Sequence, residues 1–351
     1  MKRIGNLFEK IIDTENLKTA MEKAARGKAH RPAVKKVLEN QEEIAETLKA
    51  ALSAGVYEPK PMRELRIKDG NSKKERIIHQ PKFYPDQIIH WAVMMQSHPL
   101  LVKRMHFHCI GSVPGKGIAH GKKYIEKWLR GDPRNTKYCL KMDVTKFYPS
   151  VCTRTLKAKF RTRVKYQKTL ELLDDIIGEG RGLPIGTYTS QWFANFYLED
   201  LDHAISRMDG VAYYVRYIDD MVIFGPNKRK LHRARRLIGK ELQRLSLDLK
   251  PNWQVFRPTD RGVDFLGYRF FPDRTILRKR NALRMKRRFK KIQGKASLTK
   301  KDALAIISYW GWLKSSDSRH FCRTHCKTDI KLARKVVSQC AKNMEKSKTG
   351  S

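Results

Sequence analysis

The sequence predicts an α+β fold, and three observations carry that reading. The segment Tyr213-Tyr-Val-Arg-Tyr-Ile-Asp-Asp-Met-Val-Ile-Phe224 places apolar, β-branched and aromatic residues on both sides of Asp219 and Asp220. That is the pattern of a β-hairpin with two acids at its tip. A second apolar segment, Tyr138-Cys-Leu-Lys-Met-Asp-Val144, offers another strand with Asp143 near its end. Helical patterns flank these strands, and the stretch from Arg274 to Lys301 holds 13 Lys or Arg and no acid.

In chain order, residues 1 to about 57 read as helical. Asp13-Thr-Glu-Asn begins a helix that runs through Ala25 and ends near Gly27. Pro59 and Pro61 mark a boundary, and residues 62–80 read as two short strands around the turn Asp69-Gly70-Asn71. Gln87 to Leu101 is an apolar helix. Strands at 138–144 and 211–224 alternate with helical stretches near 154–177 and 189–209. Lys228 to Leu247 is a basic amphipathic helix, and a strand pair follows between Val263 and Leu277. One last helical element spans about Lys301 to Met344, ahead of a polar tail expected to be disordered.

Composition narrows the partners. Lys plus Arg number 75 against 35 Asp plus Glu, a formal charge of +40. Such a surplus repels itself unless a polyanion neutralises it, which points to nucleic acid. No apolar run approaches the roughly 20 residues of a membrane span. Met1-Lys-Arg-Ile-Gly5 has no apolar signal core, so a cytoplasmic protein with no membrane partner is expected. Six scattered cysteines argue against a disulfide framework. The cluster His320-Phe-Cys-Arg-Thr-His-Cys326 has no second ligand group at finger-like spacing and reads as ordinary helix.

The carboxylates carry the chemistry. Two adjacent acids at an apolar-flanked turn are costly without a cation. Carboxylates on neighbouring strands can hold two Mg²⁺ ions roughly 4 Å apart, the clamp for in-line phosphoryl transfer. Successive strand residues face opposite ways, so Asp219 and Asp220 cannot play equal roles.

Taken together these residues resemble reverse transcriptases, over roughly residues 60 to 320. Lys141-Met-Asp-Val-Thr-Lys-Phe-Tyr-Pro-Ser150 looks like the first catalytic strand of the palm. Leu183-Pro-Ile-Gly-Thr-Tyr-Thr-Ser-Gln-Trp-Phe-Ala-Asn-Phe-Tyr197 looks like the turn and helix below the templating pair. Tyr217-Ile-Asp-Asp220 is the Tyr-x-Asp-Asp signature. Asp248-Leu-Lys-Pro251 and Phe265-Leu-Gly-Tyr268 resemble the next two palm motifs. The resemblance implies a right-hand polymerase fold with fingers, an antiparallel palm sheet and a helical thumb. Its divisions would be 1–57 as an N-terminal helical extension, 58–142 as fingers with the first palm elements, 143–272 as palm, 273–345 as basic thumb and 346–351 as tail.

It also implies roles. Asp143, Val144 and Asp219 would hold two Mg²⁺ ions, with Mn²⁺ as the alternative, and Asp220 would support them. Lys250 would donate a proton to pyrophosphate. Lys74 and Arg76 would meet the triphosphate of an incoming dNTP. Tyr148 would abut the sugar and exclude a 2′-hydroxyl. Phe265, Leu266, Gly267 and Tyr268 would support the primer terminus, Gly267 permitting close backbone approach. On the helix Asn281 to Gln293, Leu283, Phe289 and Ile292 form the inner stripe. Arg284, Lys286, Arg287, Arg288, Lys290 and Lys291 would grip template RNA and the cDNA–RNA hybrid. Trp310 and Trp312 read as thumb core.

Within the family, residues 185–191 are similar to diversity-generating retroelements. Many reverse transcriptases carry Gln before this glycine; here it is Ile185, followed by Gly186 and the pattern ending at Gln191. An Ile offers no hydrogen bond to the nascent pair and is stiff. Ile4-Gly-Asn-Leu7, Leu277-Arg-Lys279 and Ser308-Tyr-Trp-Gly-Trp-Leu-Lys-Ser-Ser-Asp317 resemble the same group. Those enzymes copy a template-repeat RNA with errors at adenines and work with a small basic accessory variability protein, in a bacterial or phage-infected cell. Trp192, in place of the usual Leu, is expected to alter only packing, and Ile218, in place of Met, to be nearly neutral. Competing readings are a phage-defence or retron reverse transcriptase, and an inactive RNA-binding scaffold.

Overall fold

The computed structural model describes residues 5–68, 75–295, 297–326 and 330–349. It is an α+β chain of two compact units. The first comprises Met1–Gly117, Leu140–Ile223 and Arg229–Gln254; the second comprises Ile118–Cys139, Phe224–Lys228 and Val255–Ser351.

The first unit opens with helices Leu7–Ile11, Thr14–Ala25, Pro32–Glu39 and Gln41–Ala54. Asp13 caps the second of these, its side chain accepting from the Asn16 N–H at 3.0 Å. Leu17, Ala20, Met21 and Ala24 recur at helical spacing and are buried. The helix Ile88–Val102 is buried on most of its circumference, which is why its apolar residues show no single face. Strands β1 (Arg63–Lys68) and β2 (Glu75–Gln80) pair antiparallel, Arg63 opposite Gln80 and Lys68 opposite Glu75. Their predicted turn, and Lys74 with it, lies outside the described residues.

Strands β3 (Tyr138–Asp143), β4 (Tyr213–Tyr217), β5 (Asp220–Gly225) and β6 (Gln254–Phe256) form a sheet of order β4-β5-β3-β6. The helical stretch expected near 154–177 is resolved as two helices, Thr153–Arg161 and Gln167–Ile177. The next is also two, Tyr188–Tyr197 and Glu199–Ser206. Trp192, Phe193, Phe196 and Tyr197 are all buried, each contributing about 1.5–3 kcal/mol. Trp192 lies edge-on to His98, a packing role. The basic helix Lys228–Arg244 buries Leu231, Ala234, Ile238 and Leu242 and turns its cations outward.

In the second unit, the expected strand pair is a three-stranded sheet of β7 (Val263–Phe265), β8 (Tyr268–Phe270) and β9 (Thr275–Leu277). Helices Ile118–Gly131, Lys279–Gln293, Lys300–Lys314, Arg319–His325 and Ile330–Thr349 complete it. The single element expected from Lys301 to Met344 is therefore three. The break has a cause in Ser316 and Asp317. The Ser316 hydroxyl donates back to the Trp312 carbonyl at 3.0 Å, and Asp317 exchanges two 2.7 Å bonds with the Thr275 backbone. The inner stripe of Lys279–Gln293 is Met285, Phe289 and Ile292, a spacing of four then three; Leu283 is exposed instead. Among the described residues, no helix is long and apolar enough to cross a membrane.

Candidate active site

The carboxylates meet where β3 leaves the sheet beside the β4–β5 turn. The Val144 N–H donates to the Asp219 carbonyl at 3.2 Å, and Val144 bridges to Leu249. The Asp248–Pro251 segment closes the other side: Thr145 N–H donates to Asp248 O, and Lys250 N–H to Asp143 O, each at 2.8 Å. The Lys250 ammonium also donates to Asp143 Oδ2 at 2.5 Å. Asp219 is pushed up to about 6, first by burial and then by the charge of Asp143. Asp220 points elsewhere, with Lys141 at 3.7 Å. The two adjacent acids therefore have different surroundings.

Among the described residues, no group of three or more His, Cys, Asp or Glu converges as a metal site. Two carboxylates do converge. Asp143 Oδ1 is buried and no donor reaches it, while Oδ2 already holds a cation in Lys250. Oxygen ligands with excess negative charge suit a hard divalent ion. Asp143 and Asp219 therefore fit one, and the Cys322–Cys326 pair does not. Burial, then Cys322 beside it, pushes the Cys326 thiol up to about 12, away from the thiolate a metal requires.

The turn itself is held from below. Ile218 sits at φ 59, in the left-handed region that β-branched residues avoid. A Cβ on Gly111 would fall 2.7 Å from both Ile218 N and Cδ1, so only glycine leaves room for it. Arg216 is fully buried, and its Nη1 donates to the Ile218 carbonyl at 2.8 Å. Asp202 accepts from Arg216 Nε at 2.6 Å and Nη2 at 2.5 Å. Asn195 Oδ1 accepts from Nη1 at 3.1 Å. None of these four supports was singled out from sequence, although a lone Arg within an apolar strand was a signal available there.

Tyr148 is half-buried, and its hydroxyl is pushed up to about 12 by burial and then by nearby Asp219. Its carbonyl accepts the Leu183 N–H at 2.8 Å, tying it to the loop that carries Ile185 and Gly186. Ile185 is half-buried, and its carbonyl accepts the His79 N–H of β2 at 2.7 Å. Thr187 caps the following helix, accepting from Ser190 N at 3.2 Å. Gln191 and Arg76 are exposed, on that helix and on β2. Asp143, Asp219, Lys250 and Tyr148 are thus brought together; among the described residues, Arg76 and Gln191 make no hydrogen bond or ion pair with them.

In the second unit, Leu266 (φ 51) and Gly267 (φ 84) form the two-residue turn between β7 and β8. A Cβ on Gly267 would strike the Trp312 ring at 2.6 Å, so the close approach this glycine permits is to Trp312. Trp312 also packs on Tyr268, centroids 5.0 Å apart. Phe265, Leu266 and Tyr268 are buried. Arg284, Lys286, Arg287, Lys290 and Lys291 are exposed along one helix. Arg288 departs from the expected phosphate-facing set: it donates at 2.6 Å to buried Asp302, which also accepts from Lys295 and Thr299. A cleft of about 760 Å³ is lined by Lys122, Lys123, Lys127, Arg130, Tyr268 and Trp312.

Comparison with known proteins gives one family. A model described as reverse transcriptase (RNA-dependent DNA polymerase) matches residues 67–270, more than half of the chain. Among solved structures, the chain is similar to apo telomerase from Candida Tropicalis truncated from its C-terminal domain. Identity is 14%, the TM-score is 0.42, and the match covers 62% of this chain and 53% of that one. The chain therefore spans about half the length of that structure. No curated protein matches.

Proposed function

The chain belongs to the reverse transcriptase (RNA-dependent DNA polymerase) family, and from that premise we propose that it copies an RNA template into DNA. The observation that carries this reading is the convergence of Asp143 and Asp219, two carboxylates drawn together at one end of the sheet. They would hold divalent ions, Mg²⁺ or Mn²⁺, with Val144 beside them. When bound, such ions activate the primer 3′-hydroxyl and neutralise charge on the triphosphate.

The remaining steps fall to side chains. Lys250, hydrogen-bonded to Asp143 at 2.5 Å, would donate a proton to the leaving pyrophosphate. Tyr148 keeps its proton and presents an aromatic wall where the sugar of a dNTP would pass. Arg76 on β2, and Lys74 by the sequence reading, would receive phosphates. The basic helix Lys279–Gln293 and the Tyr268–Trp312 cleft would grip hybrid and template, as a thumb following fingers and palm.

The finer reading is error-prone cDNA synthesis for a diversity-generating retroelement, with adenine as the mutagenic base and an accessory variability protein as partner. Ile185 supports it, standing where many reverse transcriptases carry a hydrogen-bonding Gln, and so do the motifs around Gly186–Gln191. The test is to sequence cDNA made with Mg²⁺, dNTPs and a mixed-base RNA. Errors concentrated opposite adenine support this reading; errors spread evenly over four bases leave a reverse transcriptase of the defence or retron kind; no cDNA with every factor present leaves a scaffold.

A further inference from the structure

The turn that carries Asp219 is a strained one, and strain of this kind persists only where the surroundings over-determine it. Ile218 is β-branched at φ 59. The group that meets its carbonyl is a guanidinium with no solvent exposure. Every nitrogen of that guanidinium has an acceptor: Asp202, Asn195, Ile218 O, and the Cys109 sulfur at 3.3 Å. Asp202 is further fixed by the Tyr214 hydroxyl at 2.6 Å. Asp202 and Asn195 lie on two separate helices, Glu199–Ser206 and Tyr188–Tyr197.

A buried ion pair is weak evidence for stability, since well-packed apolar residues commonly do as well. What a planar, five-donor group does that apolar packing cannot is to bridge several acceptors in one fixed geometry. We infer that Arg216 is the positioning residue of the metal-holding turn: through the Ile218 carbonyl it sets where the Asp219 carboxylate stands. This rests on the reading of Asp143 and Asp219 as the ion-holding pair.

The double variant Arg216→Met/Asp202→Asn removes the pair whole and strands no buried charge. In the full chain its melting temperature should stay near that of the parent. Its Mn²⁺ affinity, read by electron paramagnetic resonance without substrates, should weaken roughly 10–100-fold, and kcat should fall by a similar factor while KM for dNTP holds. Tyr214→Phe loosens Asp202 without touching Ile218; it should lower the melting temperature and leave Mn²⁺ affinity unchanged. If the double variant does not fold, Arg216→Lys carries the same readouts, since one ammonium cannot span Asp202 and Ile218 together. Unchanged Mn²⁺ affinity in these Arg216 variants, or an equal loss in Tyr214→Phe, overturns the inference. Asp219→Ala separates the two levels: if it binds Mn²⁺ as well as the parent, the ion-holding reading itself falls.

Discussion

The His79 N–H donates to the Ile185 carbonyl at 2.7 Å, so the hairpin strand β2 is clipped to the loop ahead of Gly186. Gly186 makes that contact possible. At φ 116 its missing Cβ would lie 2.5 Å from Ile78 Cγ2 and 2.8 Å from the His79 carbonyl. The second obstacle is backbone and cannot swing away. Gly186→Ala should cost about 1–3 kcal/mol of stability and lower primer extension sharply while leaving Mn²⁺ binding intact. Steady-state extension with a defined RNA template, beside a melting curve, checks both.

Because Ile185 makes its clip through the main chain, its side chain can be exchanged without unfastening β2. Ile185→Gln is expected to fold normally and to raise fidelity. Deep sequencing of cDNA from the two proteins is the measurement, and an unchanged error spectrum removes Ile185 from the argument.

The three acids should not respond alike. Asp143→Ala and Asp219→Ala should each cost on the order of a thousand-fold in kcat. Asp220, turned to Lys141 at 3.7 Å, should cost only about ten-fold as Asp220→Asn. Single-turnover extension at saturating metal ranks them.

Two arginines one residue apart should separate cleanly. Arg287 is exposed, and Arg287→Ala should reduce the slope of log affinity against log salt by about one for an RNA–DNA hybrid. Arg288 is committed to Asp302 at 2.6 Å. Arg288→Ala should lower the melting temperature and leave that slope alone.

Burial of histidines makes the first unit acid-sensitive, and His90 is the most strongly shifted of them. Burial holds His90 down to about 4, whereas in the unfolded chain it returns to about 6.5. Between those values the unfolded chain binds more protons, so stability falls as pH falls through that window. The full contribution is about 3 kcal/mol, and above pH 6.5 it is nil. Denaturant melts from pH 7 to pH 4 should show a shallower decline in His90→Leu.

Much of this was legible in the chain itself, for physical reasons. Asp13 announced its helix because a cap signal is local, and Asp143 and Asp219 stood out because acids amid apolar strand residues are costly unless used. What escaped depends on partners far away in sequence. Arg288 looks like its neighbours until Asp302, 14 residues on, is seen to hold it. Met285 rather than Leu283 lines the inner face because the helix's phase was set by partners outside the window being read. Ile218 looked like a neutral replacement for Met, yet its left-handed backbone makes the β-branch a burden. Gly111, 107 residues before Ile218, gave no sign of its purpose.

The fully enclosed Arg216–Asp202 pair has a bearing on how this chain can drift. Losing either member alone strands a charge in the interior, a change worth several kcal/mol. Losing both does not. Positions 202 and 216 are therefore coupled in folding: the chain should tolerate their joint replacement far better than the loss of either one alone, even where the joint change weakens the site it supports.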